Sequence, residues 1–513
     1  MIYLPFVDGL RAVAILAVVA FHALPWALPG GFAGVDVFFV ISGFLITRFI
    51  AAELADGSFS LVQFYIRRAR RLLPAALVCF IAVAVAAGFV LLPDAYWFFG
   101  RSLLAAVAMY ANIFFYNTGG YFSSPSLEKP LLHTWSLAVE DQFYLTWPLL
   151  LVVLAPRLSR QSLVLLGVVL FAASLYFAEV KITKDPEYAF FQLPTRAWEL
   201  LLGALLALTA SSIAMPKSAA NGLAIAGGAA ILASFALLNS DAHFPGFGAL
   251  PACLGTAAII AASLSHETVV SRALSLRPVV FTGLISYSLY LWHWPLIALV
   301  AYWLEKPLDV LHAVLVVAAS FAVAILSWRY VERPFRAGHG EHTAAGLPAA
   351  DRRFIFQALA GAGAVVCIAL ALKLGKGFPE RYTAEVRTVL EQMVAGNPLR
   401  GSCDDYQNIF RNDGICNFGR KKTQAESYEV ALFGDSMADH WAPLVAKFAE
   451  EQNLAGRQVT NGGCGLLFGI KIPAWPLAKA SECTSYQKEA EKFIIANPGL
   501  KVAVISGFWE KWL

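Results

Sequence analysis

Along the first 376 residues, apolar blocks of about 16 to 24 residues alternate with short polar connections, the spacing expected when each block crosses a hydrocarbon layer as a helix. The blocks fall at 8–25, 31–50, 73–93, 135–154, 162–178, 197–210, 221–238, 247–263, 281–303, 308–330 and 354–374. They predict a polytopic α-helical bundle of ten helices plus an eleventh, linking helix. A further apolar segment, Arg101 to Tyr116, is short and carries both Arg101 and Asn112. From Phe378 to Leu513 the pattern changes to that of a soluble mixed α/β region. The chain is therefore expected to divide into a bundle at 1–336, a linker at 337–377 holding the eleventh helix at about 354–374, and an α/β domain at 378–513.

Composition agrees with this division. Hydrophobic residues make up 58% and charged residues 14% of the 513 residues, and the mean hydropathy is +0.62. Soluble domains carry about a quarter charged residues. The net charge of +4 is small, and the arginines cluster beside apolar blocks rather than along a soluble face, which excludes a nucleic-acid binder. The first block begins almost at Met1, lacks a basic leader and contains Arg11 and His22, so it reads as a retained helix rather than a cleaved signal. Positive charge then decides the course of the chain. With segment 101–116 re-entrant or interfacial, fourteen basic residues lie in inside connections and six outside, whereas a crossing segment gives ten against ten. The first arrangement puts the linker's start inside and the α/β domain outside.

Cysteine placement tests that orientation. Cys79, Cys253 and Cys367 lie in apolar blocks, while Cys403, Cys416, Cys464 and Cys483 lie in the α/β domain. Four cysteines suit two disulfides in an oxidising compartment; of the three pairings, the short-range one, Cys403 with Cys416 and Cys464 with Cys483, is preferred. A zinc site is the rival, but no pair has the close Cys-x-x-Cys spacing, and no metal is expected.

Polar residues at membrane depth are costly, and they mark candidate chemistry. Arg11 and His22 are eleven positions apart in the first helix, about three turns, which places them on one face about 16 Å apart along the axis. Separately, each could be a snorkelling arginine or a core histidine. Together they read as the lining of a path. His133 and Glu140, seven apart, also share a face, and a buried Glu140 is either a partner for an arginine or an acid/base group. Asp36 and Ser42 on the second helix could line a cavity; His293, between Trp292 and Trp294, reads as an aromatic cluster or a polar seam; and Glu332 with Arg333 reads as a structural helix end.

These residues sit in patches that resemble acyltransferase family 3. Arg11 and His22 are followed by Gly34-Val35-Asp36-Val37-Phe38-Phe39-Val40-Ile41-Ser42-Gly43-Phe44-Leu45, then by Phe64-Tyr65 with Arg67, Arg68, Arg70, Arg71 and Pro74, similar to the family's cytoplasmic Arg-x-x-Arg loop. His133-Thr134-Trp135-Ser136-Leu137 with Glu140, Gln142, Phe143 and Tyr144 comes next, then Arg196, Trp198, Glu199 and Gly203. Ser286-Tyr287-Ser288-Leu289-Tyr290-Leu291-Trp292-His293-Trp294-Pro295 and Val331-Glu332-Arg333-Pro334-Phe335 close the series, which covers roughly residues 5–336. The resemblance implies transfer of an acyl group, usually acetyl, from cytoplasmic acyl-CoA toward an acceptor at the outer face of the membrane. Acyl transfer needs a base or a nucleophile near neutrality, for which His22 is the candidate, with Arg11, His133 and Glu140 as further catalytic candidates. Arg67, Arg68, Arg70 and Arg71 suit the phosphates of acetyl-CoA; as a basic patch they would equally suit anionic lipid headgroups.

In the α/β domain, Val430-Ala431-Leu432-Phe433 runs into Gly434-Asp435-Ser436 as a helix begins, and a serine there lies near amides able to stabilise an oxyanion. This resembles the first block of the SGNH hydrolase family. The resemblance implies Ser436, beside Asp435, as nucleophile and Gly463 as the oxyanion-hole glycine. The strand Val502-Ala503-Val504-Ile505 leads into Ser506-Gly507-Phe508-Trp509 without the family's asparagine, no Asp-x-x-His follows Ser436, and His440 is a poor substitute base. The domain is expected to be incomplete at its C-terminus.

The reading so reached is an O-acyltransferase of a bacterial inner membrane, with acetyl-CoA as donor, a periplasmic C-terminal domain, and an extracytoplasmic or lipid-linked glycan such as lipopolysaccharide O-antigen or another surface polysaccharide as acceptor. The alternative is a transporter or flippase for a lipid-linked sugar or the acyl donor, against which the two halves of the bundle show no matching repeat.

Overall fold

A computed structural model describes residues 3–118, 129–210, 214–239, 243–336, 348–394, 397, 400–403, 415–466 and 480–507. It forms two compact units, Met1–Pro379 and Glu380–Leu513.

The first unit is helical throughout. Its helices are α1 (Pro5–Ala23), α2 (Gly34–Ala55), α3 (Leu61–Val90), α4 (Pro93–Val107), α5 (Ala111–Tyr116), α6 (Thr134–Leu154), α7 (Arg160–Lys184), α8 (Pro186–Phe191) and α9 (Leu193–Thr209). They continue with α10 (Lys217–Leu237), α11 (Gly246–Ser265), α12 (Val269–Leu274), α13 (Arg277–Leu284), α14 (Ser286–Leu304), α15 (Val310–Ser327), α16 (Arg333–Arg336) and α17 (Ala349–Leu374). Among the described residues nine helices are long and apolar enough to cross a membrane, or ten when α13 and α14, bent by 64° at their junction, count as one span. The chain is a membrane protein. The predicted block 197–210 is the 17-residue α9, shorter than these helices, and it packs between α2 and α7.

Two expectations are corrected. The arginines at 67–71 do not lie in a loop: α3 starts at Leu61, where the Ser60 hydroxyl accepts from the Gln63 amide, and runs on as one 30-residue helix through Pro74. An arginine-rich helix start outside the apolar block is still a helix, because hydropathy reports depth and capping reports secondary structure. Residues 101–116 are likewise not one segment. α4 ends at Val107, Met109 takes a left-handed φ of 58°, and α5 begins at Ala111. Asn112, fully buried, donates to the Phe191 carbonyl and exchanges hydrogen bonds with Gln142, which satisfies its amide at depth.

Close crossings set the core of the bundle. At α2 against α9, a Cβ on Gly43 would sit 1.8 Å from the Leu200 carbonyl oxygen, and one on Gly203 would sit 2.0 Å from that of Val40. Any side chain at either position would push the helices apart. α17 packs on α4 and α3.

The second unit contains α18 (Ala384–Val394), α19 (Arg400–Cys403), β1 (Asn417–Gly419), β2 (Val430–Gly434), α20 (Ser436–Glu451), β3 (Ala455–Thr460), α21 (Ala480–Ala496) and β4 (Val502–Ser506). The strand order is β1-β3-β2-β4; β2 pairs in parallel with β3 and β4, and β1 is antiparallel to β3. Alternation along β2 sends Val430 and Leu432 to Ala438, Ala442 and Val445 of α20, and Ala431 and Phe433 to Tyr486, Ala490 and Phe493 of α21. The sheet is thereby covered by one helix on each face. Disulfides join Cys403 to Cys416 and Cys464 to Cys483.

Candidate functional site

The first unit holds an open cavity whose polar lining comes from Arg11 of α1, Ser42 of α2, Arg68 and Arg71 of α3, Ser136, Glu140 and Tyr144 of α6, and Ser286, Tyr287 and Tyr290 of α14. Five helices converge there, with apolar walls from Phe38, Ile41 and Leu45. Three guanidinium groups and one carboxylate make a pocket suited to an anionic ligand.

Glu140 is the hub of this lining. Its carboxylate accepts from the hydroxyls of Ser42 and Tyr144 and lies 3.5 Å from the Arg68 guanidinium. That guanidinium also covers the Tyr144 ring at 3.6 Å. Arg11 pairs with Asp8, one turn away on its own helix, at 3.0 Å, and the Tyr3 hydroxyl donates to the same carboxylate. The four arginines expected to act together divide by helix face. Arg68 and Arg71 line the cavity; Arg67 turns to Glu53 at 2.9 Å, and Arg70 to Asp351 of α17 at 2.8 Å.

A second cluster lies beside the first. His22 Nδ1 is 2.9 Å from His293 Nε2, and the two rings stack with centroids 5.1 Å apart. His133, just before α6, packs edge-on against His293 at 5.9 Å and at a tilt against Tyr290 at 5.5 Å. The Tyr290 hydroxyl meets Ser136 at 2.6 Å and donates to the His133 carbonyl. Tyr290 thus belongs to both the cavity wall and the histidine cluster. Arg11 reaches the cavity, while His22, three turns further along α1, meets the histidines. His293 and Tyr290 are the residues that sequence reasoning left outside its candidate set. Two histidines in apolar helices, at 22 and 293, were the available signal.

A third cluster is sealed from both. Arg196 lies 3.3 Å from Asp36 and 3.2 Å from Glu199, all at most 1% exposed, and the rings of Phe39, Trp135, Phe190 and Phe244 surround its guanidinium. The ligand atoms of Asp36, Glu199 and Cys253 fall within 4.8 Å of one another, which geometry alone would allow a metal ion. The guanidinium already supplies the positive charge there. Asp36 therefore joins α2 to α9 rather than lining the cavity. Glu332, 2% exposed, accepts from Ser288 and pairs with Arg336, a helix-end contact.

In the second unit, Gly434 ends β2 with φ at 137°, and a Cβ there would sit 1.7 Å from the Ser506 carbonyl oxygen. Only glycine fits that turn. The Asp435 carboxylate accepts from the Met437 amide, capping α20, and Ser436 is the first helical residue at the end of a fully buried strand. Gly463, at φ 79°, lies after β3 next to Cys464, with open space where a side chain would project. Asp439 is buried and accepts from Asn397 and Gln458, and His440 is exposed. Among the described residues no histidine bonds Ser436. The expected departure after β4, at Phe508 and Trp509, lies outside the described residues.

One chain thus joins a membrane-type helical bundle with an arginine-lined cavity to an α/β unit with a strand–Gly-Asp-Ser–helix turn. Residues 4–329 match the acyltransferase domain of the acyltransferase 3 family, and the chain belongs to that family. Residues 402–513 match the SGNH domain that occurs fused to such domains. Over 350 residues the chain is 36% identical to the peptidoglycan O-acetyltransferase OatA of Listeria monocytogenes, covering 65% of this chain and 56% of that protein. Over 347 residues it is 32% identical to the O-acetyltransferase OatA of Staphylococcus aureus, covering 65% and 57%. The chain thus spans little more than half the length of the curated relatives it matches. No solved structure matches it.

Proposed function

We propose that this protein transfers acetyl groups from acetyl-CoA to hydroxyls of an extracytoplasmic cell-wall glycan. The observation that carries this reading is the convergence of Arg11, Arg68 and Arg71 on a cavity that shares Tyr290 with the His22–His293 pair. The arginines receive the donor's phosphates. His22 takes the proton of a first acceptor hydroxyl, the oxygen attacks the thioester carbonyl, the carbon–sulfur bond breaks, and the leaving thiolate takes up a proton; the ester so formed is then cleaved by the Ser436 hydroxyl, whose acetyl ester a glycan hydroxyl attacks in turn, freeing Ser436. Glu140 holds Arg68 in place. The name of the Listeria relative favours peptidoglycan over a lipopolysaccharide sugar as acceptor. The protein resides in the bacterial inner membrane with its second unit in the periplasm, where Ser436 completes delivery to the glycan.

The test is acetate released by mild alkali from peptidoglycan and from lipopolysaccharide of cells making the wild type, His22→Ala or Ser436→Ala at matched membrane abundance. The reading expects wild-type acetate in the peptidoglycan fraction, none with His22→Ala, and a loss with Ser436→Ala. Equal acetate with and without His22 would sink it.

A further inference from the structure

We infer that His293 is a positioning residue that holds His22 in one tautomer, with the proton on Nδ1 and the lone pair on Nε2. This rests on the proposed role of His22 and adds the group that prepares it. His293 Nδ1 lies 2.8 Å from the Tyr290 carbonyl oxygen and 3.1 Å from that of Leu289, both on its own helix. A carbonyl oxygen only accepts, so Nδ1 of His293 carries a hydrogen. In the neutral ring Nε2 then carries the lone pair, and the group 2.9 Å from it is His22 Nδ1. The hydrogen between the two rings therefore belongs to His22. Its other nitrogen, Nε2, is left basic.

The surroundings keep this order from reversing. His293 is 0% exposed, and a second proton on it would place an uncompensated charge among apolar helices. Nδ1 is held by the helix itself, so a ring flip would abandon two backbone acceptors. Among the described residues, the titratable groups packed against the pair, His133 and Tyr290, carry no negative charge at neutral pH. When His22 accepts a proton, its Nδ1–H still donates to His293, and the imidazolium forms with a bond already in place. An imidazole thus does for His22 what a carboxylate does for a catalytic histidine in hydrolytic triads, and does so without a buried charge.

The full chain in nanodiscs, with acetyl-CoA as donor and isolated peptidoglycan as acceptor, tests this with His293→Phe, which keeps the ring but cannot accept, and His293→Gln, whose side-chain oxygen can. The expected result is a fall in kcat of about a hundredfold for His293→Phe, of the size general acid–base catalysis contributes, with KM for acetyl-CoA unchanged within about twofold, and recovery of at least about tenfold of that loss in His293→Gln. Wild-type kcat in His293→Phe, or a His293→Gln protein no better than His293→Phe at equal folded yield, overturns the inference while leaving His22 as the base. Transfer that survives His22→Ala overturns the functional reading instead. Solid-state nitrogen NMR of histidine-labelled protein, with His22 assigned by its loss in His22→Ala, decides the tautomer whatever the activity shows. A protonated Nδ1 and unprotonated Nε2 on His22 support the inference, and the opposite tautomer overturns it.

Discussion

The arginines of α3 serve different ends, and substitution should separate them. Arg67 pairs with Glu53 where both side chains are partly exposed, 31% and 23%, so Arg67→Ala should cost no more than about 1 kcal/mol and leave transfer within about twofold of wild type. Arg70 and Asp351 are 11% and 5% exposed, and breaking that pair strands a buried charge. Arg70→Ala should therefore destabilise by about 3–5 kcal/mol, seen as a lower unfolding temperature in detergent. Arg68→Ala should instead lose transfer with little loss of folded protein, because it removes a guanidinium from the cavity while Glu140, 18% exposed, keeps the Ser42 and Tyr144 hydroxyls as donors. At the surface of the second unit, the Lys501 ammonium, the Ala455 amide and Arg420 hold the Glu429 carboxyl down at about 2. A depressed carboxyl stabilises the fold above its unfolded pKa of about 4.3 and loses that effect as pH falls toward the folded value. Hydrogen exchange at β3 should thus be faster in Glu429→Gln than in wild type at pH 7, and the two should converge between about pH 4 and pH 2.

At the scale of elements, the approach of α2 to α9 depends on two glycines and carries a buried ion pair. Gly203→Val should force the helices apart, expose Arg196 and Asp36, and reduce the monodisperse fraction recovered in detergent by several-fold, whereas Ala207→Val, half-buried on the same helix, should not. The same elements show how much was legible in advance. Apolar block length marked every long helix, because the hydrocarbon imposes it on each helix separately. It missed the first turns of α3 and the break between α4 and α5, because the Ser60 cap and the left-handed Met109 are local backbone events that hydropathy does not report. The Gly434 turn was legible for the opposite reason. A φ of 137° and a carbonyl 1.7 Å from any Cβ leave glycine as the only residue, so the residue type itself announces the geometry.

At the scale of the molecule, the periplasmic placement proposed for the second unit draws on basic residues weighted toward one set of connections and on the two disulfides of that unit. An Ala425→Cys variant, exposed between β1 and β2, should react with a membrane-impermeant maleimide added to spheroplasts. Labelling only after lysis would reverse the orientation, and with it the route proposed for the acetyl group.

The sequence by itself determined what depends on neighbouring positions: the spans, the change to an α/β pattern after the last of them, the Gly434-Asp435-Ser436 turn, and the residues too polar to lie in apolar helices without a reason. Tertiary structure alone decided who meets whom. His22 and His293 are 271 positions apart, Ser42 and Glu140 are 98, and Arg70 and Asp351 are 281. A helix offers a polar residue to any neighbour on its face, and helical periodicity says nothing about which neighbour arrives. That choice follows from close packing at positions such as Gly43 and Gly203, where the absence of a side chain lets two backbones touch and so turns every other side chain on those helices toward its partner.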